Sequence, residues 1–82
     1  MMGTKRYPSR YDCYAAAEFE EPLFVLLARD KDAPYLVREW ARGRELKIRG
    51  GTKPLSDLGK VREAEECAAA MAAWYAANKG GR

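Results

Sequence analysis

The sequence of 82 residues contains no histidine, so the commonest general base of enzymes is missing. Without histidine, neither a Ser-His-Asp nor a Cys-His arrangement for nucleophilic catalysis can form. Paired acids do occur, Asp30 with Asp32 and Glu20 with Glu21. Capping of a helix accounts for the first pair, and a solvated turn accounts for the second. We therefore predict a protein without catalytic residues, that is, not an enzyme.

Cysteine is also scarce, because Cys13 and Cys67 are the only two and lie in different segments. Two cysteines without histidine cannot complete a structural zinc site, so neither a metal nor a cofactor is expected. Long apolar runs are absent as well: the longest, residues 23–28, is far shorter than the ~20 residues that cross a bilayer. The N-terminal MMGTKRYPSR has no apolar core that would mark a signal peptide. These absences predict a cytoplasmic protein with no membrane partner and two free thiols.

The length of the chain predicts one small domain that spans residues 1–82. Such a chain buries only about 60–65% of the surface that its unfolded form exposes, which leaves a marginal core. Association into a homo-oligomer, most simply a dimer, is a common remedy, and the two tryptophans, five tyrosines and two phenylalanines suit an interface. The balance of 15 basic and 12 acidic residues permits nucleic-acid binding without favouring it strongly.

Residues 21–41, EPLFVLLARDKDAPYLVREWA, are the segment around which the other elements are expected to be organised. The apolar residues 23–28 favour a buried β-strand. A short buried helical segment is the alternative, because periodicity alone does not separate the two. Asp30 and Asp32 then precede Pro34, as is typical of a helix N-terminus. The amphipathic helix that follows is predicted to end at Gly43.

The last element is a second amphipathic helix, which we predict from a cap at Ser56 or Asp57 to about Asn78, just before Gly80-Gly81. Its small residues at 67–73, CAAAMAA, allow another helix to approach closely. Packing against the first helix is the plainer interpretation of this face. A seam for self-association is the alternative.

Together these elements predict a mostly α fold with a short β element (small α+β), in which two main amphipathic helices pack on the central apolar segment. Phe24, Trp40 and Trp74 are expected to meet in its hydrophobic core. Residues 1–8 are predicted to be a loose tail. A helix that begins at Ser9, with Asp12 at capping-box spacing, is preferred to a strand because three consecutive alanines follow.

A basic, glycine-containing loop is predicted over residues 43–55. Its order Gly50-Gly51-Thr52-Lys53 is not that of a Walker phosphate loop, so nucleotide hydrolysis is not expected. A solvated linker is the plainer interpretation, and contact with an anion is the functional one. Arginine and tyrosine are frequent anchors of interfaces. The candidate partner- or phosphate-binding residues are Arg42, Arg44, Lys47, Arg49, Lys53, Tyr11 and Tyr14.

The central segment resembles small accessory proteins of tailed phages and prophages. Their pattern is Glu-Pro-x-Phe-x-Leu-x-Ala-x-Asp, then Ala-Pro, a valine or isoleucine, and Trp-Ala; here it falls on Glu21, Pro22, Phe24, Leu26, Ala28, Asp30, Ala33, Pro34, Val37, Trp40 and Ala41. KVREAE and AAAMAAW are similar to their second helix, so the likeness covers about two thirds of the chain, and the basic RELKIRGGTK stretch departs from it. The resemblance implies phage origin and a host-cell cytoplasm, without an activity.

Three functions are consistent with these features. By analogy with small phage proteins that act by binding, the first is a stoichiometric inhibitor of a host defence system, anti-CRISPR-like, with a protein or nucleoprotein target. The second is an oligomeric sponge that sequesters an anionic nucleotide signal through its arginines. The third is a nucleic-acid-binding regulator, whose affinity would fall steeply with salt.

Overall fold

The computed structural model describes residues 3–8 and 10–79, and most of them are helical. A short helix α1 (Cys13–Ala16) is followed by two long ones, α2 (Ala33–Arg49) and α3 (Leu58–Asn78), and a 3-10 turn at Leu55–Asp57 leads into α3. The prediction of a mostly helical protein built on two main helices is therefore confirmed.

Helix α2 begins behind a turn that Asp30 organises. The Asp30 Oδ1 accepts a hydrogen bond of 2.9 Å from the backbone N–H of Asp32, and the Asp30 carbonyl accepts one of 3.0 Å from Ala33 N–H. Pro34 occupies the first turn, where its missing N–H leaves no helical bond unmade. Asp32 occupies the N-cap position but makes no side-chain capping bond. The helix therefore starts where the aspartates and the proline predict.

The end of α2 corrects the prediction that it stops at Gly43, because the helix runs on to Arg49. A mid-helix glycine costs only about 1 kcal/mol, and burial of Ile48 against α3 outweighs that cost. The real stop is a Schellman motif, in which Gly51 N–H donates to the Ile48 carbonyl and Thr52 N–H donates to the Lys47 carbonyl. Gly51 adopts φ +84°, which glycine tolerates best. The predicted loop over residues 43–55 thus begins only at residue 50.

Helix α3 follows its prediction closely: Asp57 occupies the N-cap position, and Asn78 is the last residue. Asp57 makes no side-chain capping bond, because its carboxylate is used in an ion pair with α2. The helix packs against α2, so the plainer interpretation of its small residues is confirmed. Gly80-Gly81, expected to end the helix, lie outside the described residues.

The core between α2 and α3 is built from small side chains. Its buried apolar residues are Ala33, Ala41, Ile48, Val61, Ala64, Ala68 and Met71. Alanines at the crossing let the two helix backbones approach closely. In the part of the chain that the structure describes, no large side chain is fully buried. The core is therefore thin, as expected for so short a chain.

The predicted β element is not confirmed, and the predicted aromatic core does not form. Residues 23–28 form neither strand nor helix. Phe24 is 83% exposed, Trp40 42% and Trp74 45%, so these three side chains do not meet in a core. A strand needs a neighbour for its backbone, and the only bridge among the described residues joins Gly3 to Pro8. The apolar segment consequently lies on the surface of the helix pair.

The N-terminal helix is also shorter than predicted. Asp12 is the N-cap of α1, and its Oδ1 accepts hydrogen bonds from the N–H groups of Tyr14 and Ala15, at 3.1 and 3.5 Å. Ser9, the expected first residue, lies outside the described residues. Within the predicted tail, Thr4 N–H donates to the Tyr7 carbonyl at 3.0 Å, which closes an exposed turn.

Candidate functional site

Arg44, one of the predicted contact residues, is used by the fold itself. Its Nη1 donates to the Asp57 Oδ2 at 2.9 Å, with the two side chains 23% and 11% exposed. The guanidinium also lies over the Trp40 ring, 5.1 Å from its centroid, in a cation–π contact. The Lys60 ammonium is a more distant second cation, 3.9 Å from Asp57 Oδ1. Arg44 therefore joins α2 to the start of α3 and is not a free ligand for a partner.

Two other predicted residues, Arg42 and Arg49, lie on a different side of α2 together with Arg38. Positions 38, 42 and 49 follow the helical repeat, so the three guanidinium groups share one face. They border a groove between α2 and α3 with a volume of about 500 Å³. We call it the arginine groove; its lining residues are Arg38, Ala41, Arg42, Glu45, Leu46, Arg49, Glu65 and Ala69.

The arginine groove is positively charged but contains acids as well. Arg49 donates to the Glu45 Oε1 at 2.8 Å, with the side chains 76% and 35% exposed. Arg42 Nη1 lies 3.9 Å from the Glu39 Oε1. Exposed pairs of this kind contribute about 0–1 kcal/mol, so they break easily in favour of a better partner. Among the described residues Arg38 has no ion-pair partner.

The lysines of the predicted loop do not join this groove. Lys47 lies on the far side of α2 from Arg42 and Arg49, at more than a third of a turn from each. Lys53 follows in the connection to α3. The Lys47 carbonyl accepts bonds from Thr52 N–H at 2.9 Å, Thr52 Oγ1 at 3.1 Å and Lys53 N–H at 3.2 Å. At Lys47, then, the backbone carbonyl accepts hydrogen bonds from the residues that close the helix.

The two tyrosines separate in the same way. Tyr14 is exposed on α1, whereas Tyr11 is half-buried against the first turn of α3. The Tyr11 ring covers Gly59 so closely that a Cβ there would lie 2.5 Å from the Tyr11 Oη. The Lys60 ammonium and the Arg10 guanidinium also lie within 6 Å of the Tyr11 ring, at 5.9 and 5.5 Å from its centroid. Tyr11 thus attaches the N-terminal segment to the helix pair.

A second groove lies beside Tyr11 and has a volume of about 460 Å³. We call it the aromatic groove; its lining residues are Tyr11, Cys13, Phe24, Leu26, Val37, Trp40, Arg44, Lys60, Ala64, Cys67 and Met71. Its apolar walls belong to the segment and helices that were expected to form a closed core. Both free cysteines lie along it, Cys13 exposed and Cys67 half-buried. These elements therefore border an open groove and do not close into a core.

Two residues that the sequence patterns did not single out, Tyr35 and Leu46, extend the exposed face of α2 that carries the arginines. Both side chains are exposed. Their spacing from Arg38 and Arg42, three and four residues, is the helical repeat that was available in the sequence. Placing the helix end at Gly43 hid this face, because it assigned Leu46 to a loop.

No family model, curated protein or solved structure matches this chain. Within residues 3–8 and 10–79, no group of three or more Cys, Asp or Glu side chains is placed to hold a metal ion. Over the same residues, no helix has both the length and the apolar character needed to cross a membrane.

Proposed function

We propose that this protein is a non-catalytic binding protein whose arginine groove docks on an acidic surface of another protein. The observation that supports the proposal is the convergence of Arg38, Arg42 and Arg49 on one face of a rigid helix. Guanidinium groups bind carboxylates in a bidentate fashion, and arginines are frequent hot spots of interfaces. Holding them on a helix lowers the entropy that is lost on binding.

The composition of this face favours a protein partner over a nucleic-acid backbone. Exposed Tyr35 and Leu46 accompany the arginines and supply apolar contact area. Glu45 and Glu65 line the same groove, and their carboxylates would repel successive phosphates. Alternating charges of this kind suit a protein surface with its own mixed pattern.

The biological setting that we propose is inhibition of a host defence complex by a phage protein, in the manner of an anti-CRISPR. This setting is supported by the resemblance of residues 21–41 to tailed-phage accessory proteins and by the small size of the chain. A stoichiometric inhibitor needs one binding face and no chemistry. The proposed action is to occupy a surface that the defence complex needs for its own partner.

The test is capture of the partner from a host lysate, followed by measurement of the purified pair. The double variant Arg42→Glu with Arg49→Glu is expected to lose affinity by roughly tenfold or more. The matched control is Lys47→Glu with Lys53→Glu, which changes the net charge by the same amount away from the groove. Plating of phage on a defended host gives the biological readout, and only the groove variant should abolish protection of the phage.

Equal losses in the two double variants would contradict docking by the arginine groove. They would show that net charge alone governs binding, as for the third hypothesis, a nucleic-acid-binding regulator. A gel shift over a range of salt concentrations then identifies that case, because binding to phosphates weakens steeply with salt.

A second candidate is a sponge for an anionic nucleotide signal, which the three arginines around a groove of about 500 Å³ favour. Against it, none of the described residues that line this groove is aromatic, so none can stack on a base there. Calorimetry with cyclic and ADP-ribose-type nucleotides tests the idea. Absence of heat at high micromolar concentration excludes it.

A further inference from the structure

The contact between α2 and α3 follows the repeat of a coiled coil. Along each helix, positions spaced alternately by three and four residues are all buried or half-buried. On α2 they are Pro34, Val37, Ala41, Arg44 and Ile48, and on α3 they are Val61, Ala64, Ala68, Met71 and Tyr75. The short connection over residues 50–57 makes the two helices antiparallel. The helix pair therefore packs with the heptad spacing of an antiparallel coiled coil.

A second row of positions with the same spacing runs along each helix beside the arginine groove. Each position lies one residue after a contact position, and hence about 100° further round its helix. The α2 row is Tyr35, Arg38, Arg42, Glu45 and Arg49, and the α3 row is Arg62, Glu65, Ala69, Ala72 and Ala76. Four members of the first row and two of the second line the groove. The two helices thus present heptad rows to one groove, as two helices of a bundle do to a third.

The side chains of the two rows decide which kind of helix fits the groove. The α2 row contributes three arginines, and its glutamate, Glu45, is already bonded to Arg49 at 2.8 Å. Beyond Glu65 the α3 row consists of alanines, whose short side chains leave room for larger apolar ones. A helix in the groove must therefore bring acids to α2 and apolar side chains to α3. A second copy does not, because the two rows together carry four arginines and two glutamates, and two such faces repel each other.

We propose that the arginine groove takes an acidic amphipathic helix of the partner protein, which completes a three-helix bundle with α2 and α3. This inference rests on the proposed function and specifies which element of the partner docks. The row from Tyr35 to Arg49 is about 21 Å long, so it matches about four turns of a helix. Carboxylates on the partner helix bind the guanidinium groups of α2, and leucine-like side chains on its neighbouring edge pack on Ala69 and Ala72.

A synthetic helical peptide provides the first test. The probe has about 18 residues, or five turns, with leucines along one edge of a face and glutamates along the next edge. The control peptide has the same composition and net charge, but its glutamates lie on the outer face. Fluorescence anisotropy at physiological salt, which screens charges beyond ~8 Å, should show the probe binding at least tenfold more tightly than the control. Equal affinities overturn the proposal, as does absence of binding by the probe at high micromolar concentration.

A substitution within the groove provides the second test, without a change of charge. Ala69→Gln places a longer polar side chain where the partner's apolar residues would pack, and should weaken binding of the probe roughly tenfold. The matched control is Ala70→Gln, on the outer face of the same helix. Both alanines are exposed, so both variants should keep the native circular dichroism. An Ala69→Gln variant that binds the probe like the native chain, or no worse than Ala70→Gln, overturns the proposal.

Measurements with the captured partner separate this inference from the proposed function. Loss of affinity in both Ala69→Gln and the double variant Arg42→Glu with Arg49→Glu supports a helix in the groove. Loss in the double variant alone leaves docking by the arginines standing and overturns the helix. A double variant that binds as well as the native chain overturns the proposed function, and the inference with it.

Discussion

The ion pair between Arg44 and Asp57 makes the sharpest prediction about stability. Replacing Asp57 with alanine removes the carboxylate that the Arg44 guanidinium contacts at 2.9 Å. Because the two side chains are only 23% and 11% exposed, water replaces the lost bond incompletely. A hydrogen bond to a charged group is worth about 1.5–3 kcal/mol, whereas a fully exposed pair is worth about 0–1 kcal/mol.

We therefore expect Asp57→Ala to lower the free energy of unfolding by about 2–3 kcal/mol. For a chain of this size that corresponds to a fall in Tm of roughly 10–20 °C. Urea denaturation followed by tryptophan fluorescence measures this loss of stability. The Trp40 ring lies under the Arg44 guanidinium, so its emission is expected to report the same contact. Asp57→Asn keeps the shape of the side chain and separates the loss of charge from the loss of packing.

The matched control is Glu45→Ala, which removes the exposed ion pair with Arg49 on the same helix. Its expected cost is only about 0.3–0.5 kcal/mol. If Asp57→Ala lowered the free energy of unfolding no more than Glu45→Ala does, the Arg44–Asp57 ion pair would not contribute to joining α2 to α3. A double-mutant cycle between Arg44 and Asp57 then gives the coupling energy itself, which should exceed ~1 kcal/mol.

The remaining predictions concern substitutions of small residues. Gly51→Ala should destabilise the fold by about 1 kcal/mol or more, because φ +84° strains any residue with a Cβ. Gly43→Ala should stabilise it by about 0.5–1 kcal/mol, since nothing lies within 4 Å of the new Cβ. The urea midpoints of the two variants measure both changes. Gly59→Ala should displace the Tyr11 ring, and limited proteolysis should then cut near residue 11 while the thermal midpoint changes little. Ala68→Leu should cost about 1–3 kcal/mol by overfilling the contact between the two long helices, measured by thermal unfolding, and a cost near zero would contradict the close approach of those helices.

The arginine groove could be predicted only in part from the sequence. Arg42 and Arg49 were identified because they belong to a basic stretch, but so were Arg44 and Lys47, which the helix turns to other sides. When the end of a helix is predicted at the wrong residue, a run of charged residues in the sequence does not show on which side of the helix each one lies. The error at Gly43 therefore accounts both for the residues that were wrongly grouped and for the Leu46 that was missed.

Local signals were sufficient wherever neighbouring residues decide the structure. Asp30 with Pro34 marks the start of α2, and Asp57 with Asn78 bounds α3, because turn chemistry and helix propensity act within a few residues. The sequence alone therefore determined that this protein is helical and where its last helix lies. The small residues of α3 likewise indicated that the contact between the two long helices is thin and rich in alanine.

Only the tertiary structure decided what happens to the apolar residues 23–28. Their composition is that of a strand, but a strand exists only when another segment supplies backbone partners, and that depends on the whole chain. Likewise, Gly43 does not end α2, because Ile48, five residues later, gains burial against α3. Local chemistry sets where helices begin, whereas long-range packing sets how far they run and which apolar surface remains exposed.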